Sequence, residues 1–374
     1  MRSVDVIVVG GGPAGSTAAW ALGRRGAQVV VWDRKPFPRD KICAGWITPH
    51  VVAALDLDLT AYAAAGLTCQ PILGFQISRQ GDREARVRYP SPVSYGIRRC
   101  EFDHYLLKRC GAELHLGEPV RSLVRRDGYW QVNDAVRAPL LIGAGGHFCP
   151  VAKHLGVNLG HGEPIVAAQE TEFVLTAEQA RACAVEADLP EIFFTRDLKG
   201  YGWVFRKGAF INIGLGRQGN EHLATHVNEF VGWLERRGRI PSGLGGKLHG
   251  HPYLLYGTAP RPLSGDGALL IGDAAGLAYP KSGEGIRPAI ESALLAAETI
   301  AAAGGRTDAD ALAPYSRRVI ERFGPRTAEP TILDHIPDWM LAPLAGRLFG
   351  SRWFARRVVL DSWFFHSADP PLAN

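Results

Sequence analysis

Residues 4–33 read VDVIVVGGGPAGSTAAWALGRRGAQVVVWD, and the order of residue types in this stretch decides the fold. The apolar, β-branched run Val4 to Val9 predicts a buried parallel strand. Gly10, Gly12 and Gly15 follow with G-x-G-x-x-G spacing, which turns the chain tightly, brings bare backbone against a pyrophosphate and lets the next helix pack close to the strand. That helix is predicted from about Ala14 to Arg25. Its first residues, Pro13 and Ala14, aim backbone toward the phosphates, where a helix N-terminus favours an anion. A second strand, Ala27 to Trp32, leads to Asp33, whose carboxylate is placed to accept from ribose hydroxyls and favours a free 2′-OH over a 2′-phosphate. Strand, glycines, helix, strand and acid in this order make one β-α-β dinucleotide-binding unit. The unit alone does not separate NAD from FAD.

The chain has 374 residues, 46% hydrophobic and 21% charged, which is the composition of an ordinary globular protein with more length than one core organises. A nucleotide-binding part and a second, substrate-facing part are therefore expected. The net charge of +5 is spread along the chain, so no nucleic acid partner is expected. Six cysteines lie scattered without C-x-x-C or Cys/His pairing, which indicates neither a metal site nor a disulfide framework. The first strand starts close to the N-terminus and no apolar run reaches the roughly 18 residues of a spanning helix. The expectation is a cytoplasmic protein.

After Asp33 the segment RKPFPRDKICAGW reads as an irregular loop carrying Arg34, Arg39, Lys41 and Cys43-Ala44-Gly45. Short alternating runs at 74–78 and 85–89 suit strands of another sheet, and Phe102, Tyr105 and Leu106 mark a helix from near Arg99 to Gly111. Strands are predicted at 113–116, 120–124, 129–132 and 136–138, the last pair around a turn at Asn133-Asp134, and a buried strand at 140–142 ends in glycines. Between 163 and 256, strand-like runs at 165–172, 192–195, 201–205 and 210–215 and one amphipathic helix near 223–237 give an α+β pattern. A buried strand at 268–271 then leads into Gly272-Asp273-Ala274-Ala275-Gly276, Gly283-Glu284-Gly285-Ile286 and a long alanine-rich helix that stops at Gly304-Gly305.

The glycine unit, R-x-x-F-D at Arg99 to Asp103, G-D-A-A-G at 272–276 and G-E-G-I at 283–286 together resemble FAD-dependent oxidoreductases of the hydroxylase superfamily. K-x-C-A-G at Lys41 to Gly45 and Y-G-W-V-F-R-K-x-x-x-x-N-I-G-L-G from Tyr201 to Gly216 narrow the resemblance to the geranylgeranyl reductase family, and it covers nearly the whole chain. The resemblance implies an α/β FAD-binding Rossmann-like domain (1–70, 95–160 and 258–305) combined with an α+β substrate domain with an antiparallel sheet (71–94 and 161–257) and a helical C-terminal segment (306–374). Arg34 and Arg39, directly after the ribose-binding acid, either face the cofactor's adenosine or phosphates or belong to a solvated loop, and the resemblance implies that Arg99 contacts the phosphate or ribose and that Val120 lies beside adenine. Gly272 and Asp273 meet the ribitol chain in this reading, and Gly285 and Ile286 offer N–H groups to the anionic N1/O2 edge of reduced flavin. Cys43, with Ala44 and Gly45, is implied beside the flavin as a proton source, and Tyr201, Trp203 and Phe205, on one face of a strand, as the wall of an apolar substrate cavity.

The chain departs from the superfamily where an Asp-Gly pair is usual: Gly145-Gly146 stand there, with Cys149 and Lys153 after them. The electron donor is therefore left open between NAD(P)H and a reduced carrier protein. Ala44 and Arg206 replace a glycine and a proline of the family pattern. The expected activity is reduction of carbon–carbon double bonds in an isoprenoid or similarly long apolar substrate. The alternatives are a flavin monooxygenase or halogenase, which the partial match of Trp203-Val204-Phe205 to W-x-W-x-I-P suggests, and a non-catalytic flavin-binding protein. The stretch from Pro337 to Phe365 mixes Trp339, Met340, Trp353, Phe354 and Trp363 with arginines, and is expected to close the substrate cavity and make a peripheral membrane contact.

Overall fold

The computed structural model describes residues 1–158, 165–219, 222–244, 246–258, 261–326 and 338–372, the backbone alone for 338–343. The chain divides into two compact units: Met1–Asp40, Cys100–Pro164 and Tyr253–Ala328 form one, and Lys41–Arg99, Ile165–Pro252 and Glu329–Asn374 form the other.

In the first unit the strand predicted at Val4 to Val9 spans Val6–Val9, is fully buried and lies between Val29–Asp33 and Leu140–Gly143, parallel to both. The sheet runs Ser264–Gly265, Ala268–Leu270, Leu140–Gly143, Val6–Val9, Val29–Asp33, Glu113–Leu116. Five consecutive strands, Ala268–Leu270 to Glu113–Leu116, are parallel, and the inner ones read as continuous apolar runs because helices cover such sheets and bury both faces. Helix Pro13–Gly23 starts one residue earlier than expected, because proline suits the first helical turn, and it packs on helix Ile286–Ala302. A smaller sheet contains Leu123–Arg126, Tyr129–Val132 and Val136–Ala138. The turn between the last two places Asn133 and Asp134 at φ 51° and 52°, the left-handed pair of a turn that the Ala135 N–H closes by donating to the Val132 carbonyl at 3.1 Å. Val120 lies outside these strands: pairing starts at Leu123, and the strand expected at 120–124 is displaced to Leu123–Arg126.

The second unit is built on a seven-stranded sheet in the order His249–Leu254, Ile165–Val174, Phe210–Gln218, Gly200–Lys207, Glu191–Phe194, Gly74–Arg79, Ala85–Arg88. From Ile165–Val174 to Ala85–Arg88 it is antiparallel except where Glu191–Phe194 joins Gly74–Arg79 in parallel, two strands that come from chain segments far apart in sequence. One face buries Val204, Ile211, Ile213 and Leu215 under Val227, Phe230 and Leu234 of helix Leu223–Arg236. Gly202 is part of this packing, because a Cβ there would stand 2.5 Å from the Phe230 ring. The opposite face carries Glu170, Glu172, Tyr201, Trp203, Phe205, Lys207, Asn212 and Gly214, all at alternate strand positions.

The units divide the chain differently from the expected ranges, most of all at two segments. Residues 41–70 cluster with the second unit, since Trp46–Ile47 and Cys69–Ile72 both pair with Ser94–Ile97. Helix Ala309–Phe323 clusters with the first, where the buried Tyr315 hydroxyl donates to the Leu270 carbonyl at 2.8 Å.

Candidate functional site

In the first unit the glycine turn is a cradle that side chains would fill. A Cβ on Gly15 would lie 1.8 Å from the Gly10 carbonyl oxygen, and one on Gly10, at φ 116°, would lie 2.3 Å from that of Ala144. Gly12 caps helix Pro13–Gly23 and no side chain satisfies the N-terminal N–H groups, so Pro13, Ala14 and Gly15 open an anion-binding helix end. Asp33 accepts from the Gly11 N–H at 2.7 Å and the Lys35 N–H at 2.8 Å. Its carboxylate is thereby fixed at the tip of its strand with lone pairs to spare. Arg39 is half-buried, 3.5 Å from the wholly buried Asp103 and stacked over Phe37, whereas Arg34 is exposed. Arg99 begins helix Arg99–Arg109 and is buried, and Val120 is half-buried in a loop.

The second glycine cluster lies in the same unit. Gly272 has φ 58°, and a Cβ on it would touch Ala14 and Ala289 at 3.1 and 3.2 Å. Glycine here lets the two helices approach and starts the tight turn Gly272–Ala275 that carries Asp273. An Asp273 carboxylate oxygen lies 3.2 Å from where a Gly285 Cβ would be, so the acid and the start of helix Ile286–Ala302 face one space. Glu284 accepts from the Arg287 N–H at 2.7 Å through one oxygen, and its other oxygen is buried with no hydrogen bond among the described residues. Burial, partly offset by that N–H and the Arg287 charge, pushes its carboxyl up to about 7. Two arginines that the motifs did not indicate hold the turn from outside: Arg261 donates to the carbonyls of His147 and Ala274, and Arg326 to that of Ala275 at 2.7 Å.

At the former Asp-Gly position, a Cβ on Gly145 would meet the Cys149 sulfur at 3.3 Å. Cys149 is fully buried and occupies the room that a larger residue at 145 would need.

In the second unit the Cys43 loop is tied down on the sheet face opposite the helix. The Cys43 N–H donates to Glu170 Oε1 at 2.7 Å, its carbonyl accepts from the Asn212 amide at 3.4 Å, and its sulfur accepts from the Gly45 N–H at 3.4 Å. Gly45 has φ 70°, and a Cβ would fall 2.4 Å from the Ile97 carbonyl oxygen and 2.5 Å from Lys207 Nζ. Lys207, fully buried, donates to that carbonyl at 3.1 Å and pairs with Glu172 at 2.6 Å. Lys207 and Arg98 hold the Glu172 carboxyl below its ordinary value against the effect of burial. Glu170 lacks such a pair. Burial pushes it up to about 7 and Glu172 adds to this, while Lys207, the Cys43 N–H and the Asn212 amide pull the other way.

Tyr201, Trp203 and Phe205 stand side by side on this face, as their alternation predicts. The Trp203 indole N–H donates to Asn212 Oδ1 at 2.7 Å. Its ring passes over Gly214, where a Cβ would stand 2.3 Å from it and 2.8 Å from the Glu170 Cβ. The motif Tyr201 to Gly216 thus has a physical reading: Trp203 needs Gly214, Asn212 orients Trp203 and the Cys43 carbonyl, and Lys207 holds the loop at Gly45. Phe205 packs on Trp46 and Phe75. Tyr201 meets Phe364, and Phe194 meets Phe349 at 4.3 Å, so helix Asp338–Phe349 and the π-type helical run Ala355–Phe364 cover the aromatic face. Ala44 is half-buried between these anchors. Glu170, Glu172, Lys207 and Asn212 went unassigned in the sequence reading. For the acids, the available signal was their alternate positions, 170 and 172, in a strand whose ends are apolar.

Among the described residues no cluster of His, Cys, Asp or Glu could hold a metal ion. No described helix is long and apolar enough to cross a membrane.

Residues 5–80 match the DAO family of FAD dependent oxidoreductases. A menaquinone reductase of Mycobacterium tuberculosis is 32% identical over 325 residues, covering 80% of this chain and 76% of the relative. A digeranylgeranylglycerophospholipid reductase of Methanocaldococcus jannaschii is 25% identical, over 85% and 82% of the two chains. A geranylgeranyl bacteriochlorophyll reductase-like structure from Thermoplasma acidophilum has a TM-score of 0.80 at 21% identity, covering 97% of each chain. The halogenase PltM in complex with phloroglucinol and FAD is more distant, with a TM-score of 0.69 at 18% identity over 94% of this chain and 78% of that one. The glycine cradle, the start of helix Pro13–Gly23 that no side chain caps and the acids Asp33 and Asp273 fit the FAD of the matched oxidoreductase family, and the chain belongs to the geranylgeranyl reductase family of FAD-dependent oxidoreductases.

Proposed function

We propose that this FAD-dependent oxidoreductase reduces carbon–carbon double bonds in a polyprenyl chain, carried on a quinone or lipid headgroup. What carries the reading is the aromatic face Tyr201-Trp203-Phe205, bound through Asn212 to the same loop as Cys43. An apolar wall and a polar anchor under a thiol suit a substrate that is almost all hydrocarbon and reacts at an alkene. The names of the quinone- and lipid-reducing relatives support the substrate class.

In this reading Gly10, Gly12, Pro13, Ala14 and Gly15 hold the pyrophosphate, and Asp33 the adenosine ribose. Arg34, Arg39, Arg99 and Val120 serve the adenosine and phosphate end. Gly272 and Asp273 hold the ribitol chain, and Gly285 and Ile286 stabilise negative charge at the flavin's N1/O2 edge. When bound, FAD supplies a hydride. The chain's own residues position the alkene, exclude water and hold a proton at the Cys43-Ala44-Gly45 loop. NAD(P)H or a reduced carrier protein supplies the electrons, and the substrate enters by peripheral contact with a membrane.

The test is anaerobic: reduce the purified yellow protein, then mix it with menaquinone or a geranylgeranyl lipid. The expected result is flavin reoxidation with a product heavier by two hydrogens per reduced bond. Failure of every polyprenyl substrate to reoxidise the flavin would overturn the reading, and a C4a-hydroperoxide absorbance on admitting oxygen would favour the monooxygenase or halogenase alternative.

A further inference from the structure

We propose that Glu170, on the sheet beneath the Cys43 loop, is the acid that holds and supplies the proton for the reduction. The proposal rests on the double-bond-reducing function above and deepens it by naming the proton's source.

The geometry distinguishes the two acids of this strand. Glu172 meets Lys207 at 2.6 Å, Arg98 at 3.1 Å and the Asn212 amide at 3.3 Å, so it is a tethered carboxylate that anchors its neighbours. Glu170 is only 6% exposed. Its Oε1 takes the Cys43 N–H, while Oε2 is sealed from solvent and has no hydrogen-bond partner among the described residues. A buried carboxylate oxygen without a donor is costly, whereas a carboxylic acid that places its proton there leaves no charge to satisfy. Burial and the nearby Glu172 raise the group toward neutrality, against the pull of Lys207, Cys43 N–H and Asn212. An acid poised near the operating pH both keeps its proton and gives it up readily. Its strand position, opposite Gly214 and under the Trp203 ring, joins it to the aromatic wall as well as to the Cys43 loop.

The step balances. With FAD bound, the hydride it supplies would bring two electrons and one hydrogen to one alkene carbon. The Glu170 O–H bond breaks and its proton bonds the other carbon, so the alkene becomes an alkane segment. Glu170 is left as a carboxylate, transiently stabilised by Lys207 and the Cys43 N–H, and takes a new proton from water before the next turnover.

The experiment uses FAD-loaded wild type, Glu170→Gln and Glu170→Asp. Infrared difference spectra of the wild-type holoenzyme, without substrate, should contain a protonated-carboxyl band that disappears as pH rises through about 7 and is missing from Glu170→Gln. With a polyprenyl substrate, single-turnover flavin reoxidation by wild type should fall with the same titration. Glu170→Gln should be slower by roughly 100-fold and lose that pH limb, and Glu170→Asp should recover part of the rate with the limb restored. A wild-type rate without the limb, or a Glu170→Gln rate and profile equal to wild type, overturns the proposal, and if Glu170→Gln does not fold Glu170→Asp decides, since a band and limb that move with that substitution belong to residue 170 and ones that do not belong elsewhere. If no substrate reoxidises wild type, the function fails. In that case an absent band, or one unchanged in the residue-170 variants, still refutes the protonated Glu170, while a band at the expected pH that those variants remove or shift upholds the proton store.

Discussion

At the scale of single residues, several positions are fixed by atoms that leave no alternative. Gly15 is the plainest case, since its missing Cβ keeps the Gly10 carbonyl in place. Gly15→Ala is expected to displace the turn and the helix end together, and the purified variant should lose at least 90% of its flavin absorbance, roughly the effect of 1.4 kcal/mol or more in binding, while circular dichroism shows a folded chain. Full flavin content in the variant would remove the pyrophosphate assignment. This position was legible because its reason is local: a turn, a helix and a strand adjoining in sequence. The anchoring of Cys43 was not. Glu170 lies 127 residues from Cys43 and Asn212 lies 169 away, and no periodicity within either segment reports such a pairing. Lys207 and Asn212 stood in a quoted motif, yet a motif gives identities and not the partner each side chain meets.

At the scale of elements, the C-terminal helices separate into two faces that their sequence mixes. Phe349, Phe364 and Phe365 are buried, and Phe354 packs on Phe349 and Trp363. Trp353 is 68% exposed and Leu344 51% exposed, with Arg347, Arg352, Arg356 and Arg357 also exposed. Pro337 and the side chains of Trp339 and Met340 lie outside the described residues. The surface-facing pair is therefore where lipid contact is tested without disturbing the packing. FAD-loaded wild type should float with anionic liposomes, and a Leu344→Ser, Trp353→Ser variant should float several-fold less with unchanged flavin content. Wild type that stays at the bottom of the gradient would assign the whole stretch to packing. Strand and helix identities were largely legible here and elsewhere, because burial on one or both faces leaves a period in the sequence. Which face meets which neighbour was not, since an aromatic row looks the same whether it lines a cavity or packs on a helix.

At the scale of the whole molecule, the buried carboxyls leave a mark on stability. Glu170 and Glu284 are each raised from 4.5 to about 7 by burial. Between those values the unfolded chain ionises them and the folded chain does not, so the stability they contribute is complete below about pH 4.5, falls as pH rises, and levels off above about 7. Glu170→Gln cannot titrate. Urea unfolding of the FAD-loaded pair should show the variant gaining on wild type by about 2 kcal/mol between about pH 5 and pH 7, and a gap that stays constant with pH would mean that Glu170 is ionised in the fold. The division of the chain also bears on how the protein is made. Val6–Val9 leaves the ribosome well before Leu140–Gly143, with which it pairs, and that strand in turn pairs with the still later Ala268–Leu270. Until residue 270 emerges, the nascent sheet ends in a bare apolar strand that any other extended chain can join. Translation products that stop short of that point are consequently substrates for chaperones or aggregates, and never small functional flavoproteins.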